Sequence, residues 1–372
     1  MSICFLEEFQ PQQINQQRKH NLSTVYIYFK YCNLKCRHCW INPPYTDNTD
    51  VKDDEISLGQ LISALEECRG LGMKSVKISG GEPFTRSDIF ELLNYLKENK
   101  ISFTMETNAT LVREKEARAL KEAGARHVAV SIDGPNTQIH ESLRGVPGSF
   151  NDTLEGMRHL VKEGLNTQVI IALWRGNKEH LKSTIVLAKA LGANSVKINP
   201  INSISRAESM HKDDQALSVR ETIEFYYQLT EELKQEPKIN VTFDIPPAFY
   251  PLVSGRFQRR CSTCGIFGIL GILGDGRISI CGIGSSSQTL VLGEIGKDRI
   301  KDIWENHAIL KEIREGVPEK LTGICGRCMF KHYCLGKCRA EAYYTDGSLL
   351  APLSFCREAY EQGLFPASRI IV

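Results

Sequence analysis

The sequence predicts an α/β fold, a partial TIM-like (β/α)6 barrel followed by a small cysteine-rich domain. Three observations carry this. Six short Val/Ile-rich runs alternate with amphipathic stretches between Thr24 and about Pro200, the pattern of buried parallel strands joined by helical crossovers. The alternation stops near residue 201. Beyond residue 260 the chain is rich in glycine and holds eight of the thirteen cysteines, with few long apolar elements; a region so poor in core residues needs metal to fold. The expected organisation is an N-terminal extension (1–22), a barrel (23–200), a bridging segment (201–260) and a cysteine-rich domain (261–372).

The predicted strands are Thr24–Phe29, Ser75–Ser79, Ser102–Glu106, His127–Ile132, Thr167–Leu173 and Ser195–Asn199. Between them, Ser57–Arg69 carries Leu58, Leu61, Ile62 and Leu65 at helical spacing, and Asp88–Glu98, Glu114–Ala123, Asn151–Lys162 and Lys178–Ala190 follow as helices. The bridging segment holds a charged helix near Leu217–Leu233 and a proline-rich stretch, Ile245–Pro251. In parallel α/β folds the functional groups gather at the C-terminal ends of the strands.

Charge and composition exclude several classes. Lys+Arg 46 against Asp+Glu 44 gives no electrostatic case for nucleic acid or an anionic membrane, and the basic run Arg256–Arg260 reads as solvated surface. No apolar run reaches membrane-spanning length. The N-terminus lacks the basic and apolar regions of a secretory signal. Thirteen cysteines without an export signal point to metal ligands rather than disulfides, and to a reducing cytoplasm.

Directly after the first strand, Cys32, Cys36 and Cys39 are spaced C-x3-C-x2-C. Three thiolates are one short of a closed structural metal site; on spacing alone, zinc or three separate buried cysteines stays open. The run resembles the cluster loop of the radical S-adenosylmethionine (SAM) enzymes. That resemblance implies a [4Fe–4S] cluster whose open iron chelates SAM and reduces it to a 5′-deoxyadenosyl radical. Further motifs fall at strand ends in the same order. Gly80-Gly81-Glu82-Pro83 follows the second strand, with glycines suited to close backbone approach to a ligand and a carboxylate suited to an ammonium. Thr107-Asn108 ends the third strand, and Ser131-Ile-Asp133-Gly ends the fourth. Taken singly, Gly80–Pro83 and Asp133-Gly134 read more often as ordinary turns. By resemblance, Glu82 binds the SAM amino group, while Thr107, Asn108, Ser131 and Asp133 serve its ribose and carboxylate. Arg144 pairs with the SAM carboxylate, and His38 packs on adenine.

The C-terminal cysteines are Cys261, Cys264, Cys281, Cys325, Cys328, Cys334, Cys338 and Cys356, enough for two four-thiolate groups. C-x2-C pairs suit zinc as well. The pattern, with Leu292–Ile295, Asp302-Ile-Trp304 and Cys334–Arg339, resembles the SPASM domain of radical SAM enzymes, in its pyrroloquinoline-quinone maturase form. That resemblance implies two auxiliary [4Fe–4S] clusters, one on Cys261, Cys264, Cys281 and Cys338, the other on Cys325, Cys328, Cys334 and Cys356. Lys337 stands where glycine is commoner. Cys4 and Cys68 match no motif, and Cys68 reads as a buried structural thiol.

The resemblance implies a radical SAM peptide maturase that abstracts hydrogen from a ribosomally made peptide and installs a crosslink, a thioether or a backbone rearrangement. A small-molecule cofactor enzyme is the alternative. Formylglycine formation is disfavoured, because the position of the aspartate base in that subfamily is Gly282 here; Asp275 sits in an Asp-Gly turn and is a weak substitute. Flavodoxin or ferredoxin is the expected electron donor. Only 23 residues precede the first strand, so a separate leader-peptide recognition protein is an expected partner. Trp174, Lys197 and Asn199, after the fifth and in the sixth strand, are candidates for the substrate mouth.

Overall fold

The structure, a computed structural model, describes residues 21–50, 52–234, 239–251 and 264–371. Cys4, Cys261 and the run Arg256–Arg260 lie outside the described residues. Strands β1 (Thr24–Phe29), β2 (Ser75–Gly80), β3 (Ser102–Thr107), β4 (Ala125–Ser131), β5 (Thr167–Leu173) and β6 (Ser195–Pro200) follow the six predicted runs within two residues. They pair in parallel in chain order. Helices α1 (Leu58–Gly70), α2 (Ile89–Glu98), α3 (Glu114–Glu122), α4 (Thr137–Arg144), α5 (Ser149–Lys162) and α6 (Leu181–Ala190) form the crossovers. Helix α1 starts where Ser57 and Gln60 form a reciprocal capping box.

Period two sorts the strands into two faces. Val25, Ile27, Val76, Ile78, Phe103 and Met105 point to the helices and are at most 1 % exposed; burying each contributes about 1.5–3 kcal/mol. The alternate residues, among them Tyr26, Lys77, Ser79, Glu106 and Lys197, face the lumen, so the barrel interior is polar.

The sheet runs further than six strands. Its order is β10-β9-β8-β1-β2-β3-β4-β5-β6-β7, an open ten-stranded sheet. Strand β7 (Asn240–Phe243) arises in the bridging segment and pairs parallel to β6. From the cysteine-rich region, β8 (Ile269–Leu273) returns to lie parallel to β1 and continues into a hairpin with β9 (Arg277–Ser279) and β10 (Val291–Glu294). This covers the β1 edge, which an open barrel would leave unpaired. The C-terminal region is also better packed than its composition suggests: Trp304, Leu310, Ile313, Leu349 and Leu353 are buried and continuous with the barrel core. Its helices are α9 (Ile300–Asn306), α10 (Ala308–Gly316), α11 (Arg339–Asp346) and α12 (Ser354–Glu361), preceded in the bridging segment by α7 (Ala207–Lys212) and α8 (Val219–Glu232); here we number only helices longer than four residues. Among the described residues no helix is long and apolar enough to cross a membrane.

Candidate cofactor and substrate site

The strand ends bring the motif residues together over the C-terminal face of the sheet. Gly80 and Gly81 are needed there, for a different reason than the sequence suggests. Gly80 has φ +106°, and a Cβ on Gly81 would lie 1.8 Å from the carbonyl oxygen of Tyr31. The space they leave is filled by the start of the cysteine loop, not by a ligand. Gly81 N–H donates to Phe29 O at 2.7 Å, and Glu82 N–H to Tyr31 O at 2.8 Å. Pro83 then opens a short 3₁₀ turn capped by Glu82.

Glu82 is fully buried. Its carboxylate accepts from Thr107 Oγ1 at 2.7 Å, Asn108 N–H at 2.7 Å and Phe84 N–H at 3.3 Å. Burial still raises its pKa to about 7 against these donors, and no cationic side chain among the described residues pairs with it. Asn108 also bridges to the cysteine loop, donating to Asn33 Oδ1 at 2.8 Å, with its Nδ2 3.9 Å from Cys32 Sγ.

Asp133, likewise fully buried, accepts from Arg144 Nε at 2.5 Å and from Ala172 N–H at 2.7 Å. Burial would raise its carboxyl, but Arg144, His38 and His140 outweigh that and hold it below the ordinary range. Both carboxylate oxygens are committed inside the protein, so Asp133 acts by holding Arg144, on α4, against the cysteine loop. Arg144 Nη1 lies 3.6 Å from Cys36 Sγ. Lys35 and Arg37 donate their N–H groups to Arg144 O at 3.1 Å and Leu143 O at 2.9 Å, fixing the loop to α4. Burial and the nearby Arg144 lower His38 to about 4, leaving its ring neutral at pH 7. Ser131 is half-buried at the end of β4.

SAM fits these residues. His38 Nδ1, Trp174 Nε1 and Asn199 Oδ1 are buried polar atoms without a hydrogen-bond partner, an arrangement that folded proteins avoid unless a ligand or water completes it. Glu82 lacks the ammonium that would keep it ionised. Cys32, Cys36 and Cys39 lie within electrostatic reach of one another, and Leu34 N–H donates to Cys32 Sγ at 3.4 Å.

The C-terminal thiols also gather in two places. Cys264, Cys281 and Cys338 are mutual neighbours, and Glu341 N–H donates to Cys338 Sγ at 3.4 Å. Cys325, Cys328, Cys334 and Cys356 line a second, largely enclosed cavity with Pro246, Phe330 and Phe365. Phe330 N–H donates to Cys328 Sγ at 3.4 Å. Among the described residues no group of three or more His, Cys, Asp or Glu side chains is arranged to hold a single metal ion. Lys337 adopts φ +56°, which is why glycine suits the position. It is offset here because the ammonium reaches Asp244 Oδ1 at 2.6 Å and Ile245 O at 3.1 Å. Cys68 is buried in α1 among core residues.

Sequence reasoning named Lys197 and Asn199 for the substrate mouth but missed the lumen charges Lys77, Glu106 and Asp244. Lys77 pairs with Glu106 at 2.6 Å, Ser79 Oγ donates to Glu106 at 2.8 Å, and Lys197 pairs with Asp244 at 3.1 Å. Burial works against the Glu106 charge, but Lys77, Ser79 and Lys197 keep it ionised. The signal was available: Lys77, Glu106 and Lys197 are charges at alternate positions of otherwise apolar strands. Trp174 is buried beneath the Arg37 guanidinium, 5.9 Å away. Asp275 is taken up by Arg277 at 2.8 Å. A side chain at Gly282 would meet the rings of Tyr28 and Trp40 at 2.5 and 2.7 Å, leaving no room for an aspartate.

Comparison with known proteins agrees with this geometry. Residues 26–188 match the radical SAM superfamily, and residues 261–329 match SPASM, an iron–sulfur cluster-binding domain. An AdoMet-dependent heme synthase from Methanosarcina barkeri is 28 % identical over 87 % of this chain and 93 % of its own length. The mycofactocin maturase MftC from Mycobacterium tuberculosis is 23 % identical over 89 % of this chain and 81 % of its own. In fold, Streptococcus suis SuiB bound to its precursor peptide SuiA superposes with a TM-score of 0.71 at 18 % identity, covering 94 % of this chain and 79 % of SuiB. Native anSMEcpe with bound AdoMet gives 0.68 at 20 % identity, covering 91 % of this chain and 95 % of that chain.

Proposed function

From its membership of the radical SAM enzymes that carry a C-terminal SPASM domain, we propose that the chain matures a ribosomally made peptide. The observation that carries this reading is the lumen. Lys77, Glu106, Lys197, Asp244 and Lys337 line it as paired, partly solvent-reachable charges, which suit the amides and side chains of a peptide better than the flat apolar face of a macrocycle. SuiB, solved with its precursor peptide SuiA, and the mycofactocin maturase MftC support it.

In this reading Glu82 takes the SAM ammonium, assisted by the turn that Gly80, Gly81 and Pro83 form, while Thr107 and Asn108 hold the Glu82 carboxylate in place. Arg144, oriented by Asp133, faces the SAM carboxylate; Ser131 serves the ribose, and the neutral His38 ring packs on adenine. Cys32, Cys36 and Cys39 would hold a [4Fe–4S] cluster, which together with SAM would supply one-electron radical chemistry at a substrate C–H. The barrel walls hold the substrate C–H near that position and keep water out. Two further [4Fe–4S] clusters are assigned to Cys261, Cys264, Cys281 and Cys338, and to Cys325, Cys328, Cys334 and Cys356. Flavodoxin or ferredoxin supplies the electron, a separate protein recognises the leader, and the enzyme works in the cytoplasm.

Heme synthases among the relatives, at 25–28 % identity, favour porphyrin chemistry as a second reading. Co-expression with short peptides encoded beside its gene separates the two. A mass change in one peptide that requires Cys32 supports maturation. Unchanged peptides, with turnover of an iron porphyrin instead, support the second reading.

A further inference from the structure

A broad cleft of about 650 Å³ is lined by Lys35, Arg37, Tyr45, Arg206, Glu208 and Lys212 among others. Its walls are segments that leave the C-terminal ends of strands. One is the cysteine loop and its continuation, after β1; the other carries α7, after β6. Four cations face one carboxylate there, and Glu208 is already engaged by the Tyr344 hydroxyl and by Lys212. Lys35, Arg37 and Arg206 have no carboxylate partner among the described residues. Neutral groups hold them instead: Lys35 sits over the Tyr45 ring at 4.1 Å, Arg37 donates to the Gln215 side chain, and Arg206 donates to Pro43 O at 3.2 Å. Such contacts orient the cations without neutralising them, so an anionic partner meets charges already in place.

Both walls rest on Trp174, directly after β5. The Arg37 guanidinium lies 5.9 Å from its ring. From α7, Met210 is fully buried in a small apolar cluster with Trp174, Ala172 and Leu143. Gln215, which holds Arg37, also accepts the Arg175 N–H at its backbone carbonyl, 2.9 Å away. The cleft therefore borders the mouth of the barrel. Its volume of about 650 Å³ falls within the roughly 300–1,000 Å³ of clefts that bury a drug-sized ligand, space for a few residues of extended chain. Tyr45, 44 % exposed beside Lys35, adds the aromatic surface that protein-binding sites favour.

We propose that this cleft binds an acidic segment of the peptide substrate, outside the residue whose C–H reacts. The inference rests on the peptide reading and adds to it the kind of peptide the protein takes. A chain whose reacting residue occupies the lumen leaves the barrel over its rim, and beside Trp174 it meets these cations. Carboxylates on that stretch pair with Lys35, Arg37 and Arg206; a basic stretch is repelled. The segment is held and not altered, and no bond forms or breaks in the cleft.

The test uses the reconstituted protein, with dithionite as reductant, and a peptide encoded beside its gene that the wild-type protein changes in mass. A second form of that peptide carries Asn or Gln for every Asp or Glu except the modified residue. The protein variants are Arg206→Glu/Lys212→Glu and, as a guard against misfolding, Lys212→Glu alone, whose side chain is 77 % exposed. KM for the native peptide is expected to rise at least about tenfold in the double variant and less in the single one, with kcat held. The neutral peptide is expected to show a similar rise with the wild-type protein and little further rise with the double variant, the non-additivity of groups in contact. Deoxyadenosine formation without peptide is expected to stay unchanged. An unaltered KM for the native peptide in the double variant overturns the proposal, as does a modified peptide that has no acidic residue. Weaker flavodoxin binding with KM unaltered also overturns it and gives the cleft to an electron carrier. If the wild-type protein forms deoxyadenosine but changes no peptide, the peptide reading itself fails and this inference falls with it.

Discussion

Glu82 is a carboxylate placed where water cannot stabilise it and no cation is built in to do so. With its pKa raised to about 7, it is protonated below that pH and ionised above it. Only the ionised form attracts the SAM ammonium, so SAM affinity is expected to tighten as pH rises through 7 and to weaken about tenfold for each unit below. Calorimetry across pH 5.5–8.5 checks this, with affinity expected to fall roughly thirtyfold from the top of that range to the bottom, nearly all of it below pH 7.5, and Glu82→Gln is expected to bind weakly with a flat profile. Asp133 presents the opposite case, a buried carboxylate with its cation in hand. Asp133→Asn strands the Arg144 charge and is expected to cost about 3–5 kcal/mol in urea unfolding. The double variant Asp133→Asn/Arg144→Met should recover part of that loss.

At the scale of elements, the C-terminal ends of β2 and β3 and the cysteine loop are one interlocked unit. Gly81→Ala puts a methyl group onto the Tyr31 carbonyl, so the loop must move. The expected result is a drop of several degrees in melting temperature and the loss of about four irons per chain on reconstitution, read by calorimetry and iron analysis. Six strands and their helices were legible because period-two burial is written directly into runs such as Thr24–Phe29 and Thr167–Leu173. Helix α4 was not, because Thr137–Arg144 is short and carries only Ile139 and Leu143 as apolar residues; its start depends on the Asn136 side chain accepting from Ile139 N–H at 3.0 Å. Strands β7 and β8 escaped for another reason. Their partners β6 and β1 lie about 45 and 245 residues away in the chain, and local pattern holds no trace of such pairing. The motif residues were legible by position, but the partnership of Asp133 with Arg144 and the lumen charges needed three dimensions.

For the whole molecule, strand β8 makes the cysteine-rich region part of the barrel rather than an appendage, and Lys337 ties its last loop to Asp244 beyond β7. Damage to an auxiliary site should therefore reach the barrel. Cys356→Ala is expected to remove about four irons while leaving SAM binding measurable, and to lower the melting temperature of the barrel in the same single transition; two separate transitions would mean independent domains. The central claim, that three groups of thiols equip this chain to make a substrate radical from SAM, meets its most direct test in anaerobic reconstitution with iron and sulfide, followed by SAM and dithionite. The account predicts about twelve irons per chain and release of 5′-deoxyadenosine that vanishes in Cys36→Ala. Bound zinc, few irons and no deoxyadenosine would contradict it.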